Sequence, residues 1–329
     1  MGRKLHSSSA SCTSNNISAA DDGVLNLDKP AGLTSHDVVA RVRRRTHLSR
    51  VGHAGTLDPQ ATGVLLIGLG KGTKLVQFLQ EYPKTYRAML RLGVRTDTYD
   101  ATGKIVEAKA VGGVTPEQVV TVLAGFQGVI EQIPPMYSAL KQQGQRLYTL
   151  ARQGIEVDRQ PRRVQIYRLT LLACSAETLT VEVTCSGGTY IRVLADDIGA
   201  RLGCGAHLTE LARTAIGPFA LEDALTLPAF EEAVHQGVWR RSVLSLSQAV
   251  AAFPALIVTP TAAQAIAHGM APTIREVSRV AGAFEPGATV AILSPDGALL
   301  AVGSPTFRAA ELDQAPPAAP AARLRRVLI

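Results

Sequence analysis

The stretch KTYRAMLRL, Lys84 to Leu92, sets Tyr86, Ala88, Leu90 and Leu92 on one face with polar residues between them. A period of two is the pattern of a strand covered on one side. Strand-like segments of this kind recur in pairs. VLNLDK, starting at Val24, alternates, and ATGVLLIGL reads as a buried strand; RRVQIYRLTLLAC and TLTVEVTCS form another pair. Helical stretches separate the pairs. Ser35 can cap HDVVARVRRRTHL, which turns Val38, Val39 and Val42 inward. Thr115 and Pro116 supply an N-cap and a first-turn proline for a second helix. GTKLVQFLQEY also reads as helical, and GGTYIRVLADDIGARLGCG reads as a strand edge opening into a helix. Paired strands with intervening helices predict an α+β domain built on a mixed, largely antiparallel sheet. No period of about 20–50 residues emerges, so a solenoid is excluded.

The chain has 329 residues, enough for about two domains. The Ser-rich residues 1–22 lack an apolar secretory core, and His6 stands where a myristoylation signal needs Ser or Thr. A disordered tail is expected there. The main domain is expected over residues 23–252. It includes a proline-broken, basic insertion at about 133–163, suited to induced contact with nucleic acid. Composition shifts near Ser245–Pro254. Beyond lie a helix at TAAQAIAHGM, a hairpin turning on Pro295, Asp296 and Gly297, and a final basic strand. This predicts a small β-rich domain over residues 253–329.

Lys and Arg outnumber Asp and Glu by 34 to 27, which suits a polyanionic partner and equally a merely basic surface. Arg41, Arg43, Arg44 and Arg45 crowd the outer face of the first helix, with Arg50 just beyond. No apolar run reaches the roughly 18 residues that a membrane span needs. Cys12, Cys174, Cys185 and Cys204 form no C-x-x-C and lie near no His at zinc-ligand spacing. Reduced thiols in a cytoplasmic protein, with no metal, are expected.

GLGKGTK resembles a phosphate loop but fails, because Gly72 follows Lys71 where Ser or Thr is required. Close strand–helix packing accounts for its glycines. Asp97 and Asp100 suit a turn. Asp58 is different. It precedes Pro59 in a loop between Gly55 and Gly63, where backbone can approach a ligand closely.

Five blocks carry a resemblance: LNLDKPAGLTSHDVV, VGHAGTLDPQATGVLLIGLGKGTK, KTYRAMLRLGVRTDTYDATG, PPMYSALKQQGQRLYTLARQG and GGTYIRVLADDIGARLGCGAHLTELARTAIGPF. In this order, from Gly23 to Phe219, they resemble the TruB family of tRNA pseudouridine synthases, which act on uridine-55 in the T arm. The resemblance implies a pseudouridine-synthase fold followed by a PUA-like RNA-binding domain. It implies tRNA as partner, no cofactor and no protein partner; a monomer is the default.

It also implies roles for residues. Asp58 matches the catalytic carboxylate, nucleophile or base. Arg192 matches its guanidinium partner, so a hydrogen-bonding contact is expected. Tyr86 matches the tyrosine that stacks on the everted uracil, its hydroxyl a candidate for removing the C5 proton. Tyr190 and Leu211 are expected to line the pocket, and His53 to occupy the vacated stack. Lys141, Arg146 and Tyr148 of the insertion are expected to hold RNA backbone. Lys29 and Pro30 are expected to brace the Asp58 loop. Two rival readings remain: an RNA chaperone that folds tRNA, alone or alongside the chemistry, and an aspartyl-phosphate enzyme. The second lacks a carboxylate cluster for Mg²⁺.

Overall fold

The computed structural model describes residues 21–138, 141–142, 145–147, 150, 153–155 and 157–329. Four strands open the architecture: β1 (Gly23–Lys29), β2 (Val51–Ala54), β3 (Thr62–Leu69) and β4 (Lys84–Leu92). They belong to a ten-stranded mixed sheet. Its main path runs Leu225–Thr226, β1, β3, Ala206–Ile216, β4, Thr178–Cys185, Arg162–Cys174 and Gly128–Gln132, with β2 alongside β3. Most pairs are antiparallel, as the period-two stretches predict. The exceptions are β1 with Leu225–Thr226 and β3 with Ala206–Ile216.

The second exception shapes the molecule. β3 meets its neighbour at Thr62↔Ala212 and Gly63↔Arg213. A short parallel contact joins two half-sheets that part beyond it, and a cleft forms where they diverge. Gly63, at φ +102°, makes the contact possible: a Cβ there would lie 2.2 Å from the Arg213 carbonyl oxygen.

Each half-sheet has its own core. Tyr86, Ala88, Leu90 and Leu92 of β4 pack with Val119 and Leu123 of the helix Pro116–Ala124, and with Ile191, Leu194 and Ile198 of the helix Ile191–Arg201. On the other half, Leu25, Leu27, Leu65 and Ile67 pack with Val38, Val39 and Val42 of helix α1 (Ser35–Thr46). Thr115 is the N-cap and Pro116 stands in the first turn, as the sequence predicts, and Gln118 completes a capping box.

Three local expectations change. The cap of α1 is Thr34, not Ser35, because Asp37 completes a capping box with Thr34. Ser35 is thereby free to bond elsewhere. The helix expected in GTKLVQFLQEY is a 3₁₀ turn, Gly70–Lys74, followed by one α turn, Val76–Leu79. Gly72 packs so closely on β1 that a Cβ would collide with the Gly23 carbonyl oxygen. Close packing is therefore the role of these glycines. Asp21, expected in the tail, is buried and pairs with Arg240 at 2.7 Å.

A five-stranded sheet follows, ordered Val277–Ala281, Ala255–Val258, Val290–Leu293, Leu299–Pro305 and Ala322–Val327. The predicted hairpin and basic final strand are its last three members. It shares a core with the larger sheet in which Ala255, Val302 and Leu328 join Val24, Phe78 and Tyr82. Among the described residues, no helix is long and apolar enough to cross a membrane.

Candidate active site

Asp58 sits in the loop between β2 and β3, beside the divergence of the half-sheets. The loop is tied at both ends. On one side, the Ser35 hydroxyl accepts from Leu57 N at 2.9 Å. On the other, Pro59 O accepts from Gly32 N at 2.8 Å and from Lys29 Nζ at 3.1 Å. Lys29 Nζ also donates to Pro30 O and Leu33 O, at 2.9 and 2.7 Å. Its ammonium is wholly buried among carbonyls, and burial pulls its pKa down to about 8 although Asp58 pushes the other way. Lys29 and the Pro30 carbonyl thus underlie the Asp58 loop.

Arg192 enters from the second position of the helix Ile191–Arg201. Its Nε lies 2.9 Å from Asp58 Oδ2 and its Nη2 donates to Asp58 Oδ1 at 3.4 Å. The expected contact is therefore present, as a two-point hold. The rest of the fork is also used. Nη1 donates to Asp100 Oδ2 and to Thr98 O, each at 3.3 Å, and Nη2 to Tyr137 O at 3.0 Å. A planar guanidinium serves such a set; an ammonium does not. The Arg192 side chain is 6% exposed and that of Asp58 45%, so the cation is walled in while the carboxylate faces the cleft.

The electrostatics are a balance. Burial pushes the Asp58 carboxyl above the usual carboxylate range, Arg192 pulls it back, and Asp100 adds to the rise. Burial is the largest of these influences, so the carboxyl stays above its usual range although the guanidinium opposes the rise.

The cleft has two lobes, of about 520 and 580 Å³, and Asp58, Arg192 and Leu211 line both. Tyr86 and Tyr190 line the larger lobe. Burial raises the Tyr86 phenol pKa, with Arg213 opposing, so the hydroxyl keeps its proton near neutrality. Tyr190 caps the helix that carries Arg192, and its amide donates to Gln132 Oε1 at 3.0 Å. His53 lies on β2, outside the lining of either lobe. Its ring meets His36 edge-on at 5.2 Å, and burial draws its pKa down to about 4, which leaves it neutral. Lys141 and Arg146 fall on a short hairpin, but their side chains, and all of Tyr148, lie outside the described residues.

Two participants escaped the sequence reading. Asp100 makes its expected turn, accepting from Thr102 N at 2.9 Å through Oδ1, and spends its other oxygen on Arg192. Arg213 is almost fully buried beside the larger lobe, donating to Val64 O at 2.8 Å and Gly55 O at 3.1 Å. Its isolated charge in the apolar-patterned run LARTAI was the available signal, since a buried Arg must be paired or bonded.

A split mixed sheet, a carboxylate–guanidinium pair at the cleft and an appended five-stranded β unit define the class as a pseudouridine-synthase catalytic domain with a PUA domain. The N-terminal domain of the TruB family pseudouridylate synthases matches residues 43–191, the tRNA pseudouridylate synthase B C-terminal domain matches 192–251, and the PUA domain matches 254–328. A protein of Syntrophotalea carbinolica named tRNA pseudouridine synthase B is 46% identical over 278 residues, 84% of this chain and 90% of that one. One of the same name from Geobacter sulfurreducens is 45% identical over 281 residues, 85% and 92% of the two chains. The chain belongs to the TruB family. Among solved structures, a chain of a Cbf5-Nop10-Gar1 complex superposes with a TM-score of 0.79 at 29% identity, covering 94% of this chain and 86% of that one.

Proposed function

We propose that this protein isomerises uridine-55 in the T arm of tRNA to pseudouridine. The N1–C1′ bond breaks, the uracil turns, and C5 joins C1′. The C5 proton leaves and N1 gains one, so the reaction is redox-neutral. The observation that carries this reading is the Asp58–Arg192 pair: a carboxylate open to a cleft, held at two points by a walled-in cation. Asp58 serves as nucleophile or base while positive character develops on the sugar.

The larger lobe receives the everted uracil, with the Tyr86 ring against its face and Tyr190 and Leu211 closing the sides. Stacking of this kind offers about 1–3 kcal/mol, against an extrusion cost of a few kcal/mol. The Tyr86 hydroxyl is set to take the C5 proton; being protonated at rest, it does so by giving its own proton to N1, so that the proton lost from C5 and the one gained at N1 balance. His53, neutral on β2, fills the stack that the base leaves. The insertion at about 133–163 and the PUA-like residues 253–329 hold RNA backbone. Work on tRNA suits a cytoplasmic site of action.

The test is tritium release from 5-labelled uridine in a T-arm stem-loop. The protein releases tritium, and Asp58→Asn releases none while binding the RNA nearly as well. Full turnover by the variant refutes the role of Asp58. A folding role is separated by comparing tRNA refolding with the two proteins.

A further inference from the structure

The final strand of the five-stranded sheet reaches Glu81, in the segment Gln80 to Tyr86, four of whose residues line the larger lobe: Gln80, Glu81, Lys84 and Tyr86. Glu81 lines that lobe and is also the carboxylate on which the C-terminal sheet is fastened. Arg325, from the final basic strand, donates to Glu81 Oε1 at 3.1 Å and to Thr289 Oγ1 at 2.6 Å. Thr289 donates in turn to Glu81 Oε2 at 2.5 Å. The three side chains form a closed ring of hydrogen bonds, and the Arg325 guanidinium lies 4.8 Å from the centre of the Phe78 ring. An isolated exposed ion pair is worth little. Here each side chain is ordered by two others, so the ordering entropy is shared.

The segment is stiff from the ring to the pocket. The Tyr82 ring stacks on Phe253 with centroids 4.6 Å apart and planes at 13°. Lys84 Nζ donates to Tyr82 O at 2.6 Å and also to Gln80 O, clamping the turn ahead of Tyr86. Gly217 N donates to Pro83 O at 2.8 Å. Against the clamp lies Gly187, where a Cβ would come within 2.9 Å of Gln80 O and 3.3 Å of Lys84 Nζ. Gly187 opens the loop that leads through Tyr190 to Arg192. One wall, Gln80 to Lys84, thus adjoins both Tyr86 and the approach to Arg192.

We infer that Glu81, Arg325 and Thr289 are positioning residues for the isomerisation: through this ring the C-terminal sheet sets the wall of the uracil lobe, beyond any hold it has on RNA. The inference rests on the function proposed above. Loss of the ring slackens the wall without unfolding either sheet, because the shared apolar core and the bond from Lys74 Nζ to Val327 O at 3.1 Å remain.

The experiment uses the full chain with Glu81→Gln, Arg325→Ala, Arg325→Lys and the Glu81→Gln/Arg325→Ala double variant. Three quantities are read: single-turnover rate at saturating T-arm stem-loop, RNA affinity by filter binding, and melting temperature. Misplacement of reacting groups is costly, so each of the first two variants loses about tenfold in rate at saturation. The double variant loses no more than the worse single, and Arg325→Lys recovers part of the loss. Unchanged rates at saturation overturn the inference, as does a loss confined to affinity, which would make Arg325 a phosphate contact only. Independent, multiplying losses overturn it too. Absence of conversion by the unaltered protein sinks the proposed function instead, so the two failures are distinct.

Discussion

Arg192→Lys keeps the charge and removes the fork. In the native site Nε and Nη2 hold the two oxygens of Asp58, at 2.9 and 3.4 Å, while Nη1 holds Asp100 and Thr98 O. A lysine ammonium places all three donors on one atom at the end of a flexible stem. It can pair with Asp58 or with Asp100, and cannot fix the plane of either carboxylate. The direct loss is at least one charge-assisted hydrogen bond in the orienting set, about 1.5–3 kcal/mol. If that bond matters to the transition state, the single-turnover rate falls by roughly 10- to 150-fold.

A second readout follows from the proton balance. Burial raises the Asp58 pKa, and Arg192 is the largest influence opposing the rise. Activity that needs the ionised carboxylate climbs with pH through that pKa. A weaker counter-charge therefore shifts the acid limb of the rate profile to higher pH in Arg192→Lys. Single-turnover tritium release across the pH range reports both effects. A variant with the native rate and an unmoved acid limb refutes the reasoning.

Other outcomes are expected. Asp58→Asn should melt no lower than the native protein at pH 7, since a carboxyl whose folded pKa is raised costs stability that accrues as pH climbs from about 3.9, where the unfolded group titrates, to the raised folded value and stays constant above it; the difference should shrink as pH falls back toward about 3.9. A clear loss of melting temperature at pH 7 contradicts this. Gly63→Ala should destabilise by at least about 2 kcal/mol, because its Cβ meets the Arg213 backbone at a positive φ; denaturant melts measure it. Tyr86→Phe keeps the buried ring and loses the hydroxyl, so RNA binding should persist while tritium release slows by about 100-fold or more. Equal release by both proteins removes the hydroxyl from the proton transfer.

Much of the fold was legible because local patterns and tertiary roles agreed. β4 alternates in sequence and buries those same residues, and Thr115 followed by Pro116 starts the helix it should. The reading of α1 slipped by one residue because Thr34 and Ser35 are both able caps. Asp37 chose between them, and Ser35 became a tie for the Asp58 loop. At the site, the family blocks brought Asp58, Tyr86 and Arg192 into view. They did not reveal that Asp100 competes for the same guanidinium, or that Arg213 lies almost wholly buried against Gly55 and Val64.

The sequence by itself determined which segments extend, which coil, and which acid stands alone in a glycine-bordered loop. These follow from side-chain period, backbone freedom and capping chemistry, all of which act over a few residues. Only the tertiary structure decided that the sheet parts beside that acid, and that Arg192, 134 positions away, divides its fork between Asp58 and Asp100. Charge balance is set by distance and by exclusion of water, and neither exists until remote segments meet.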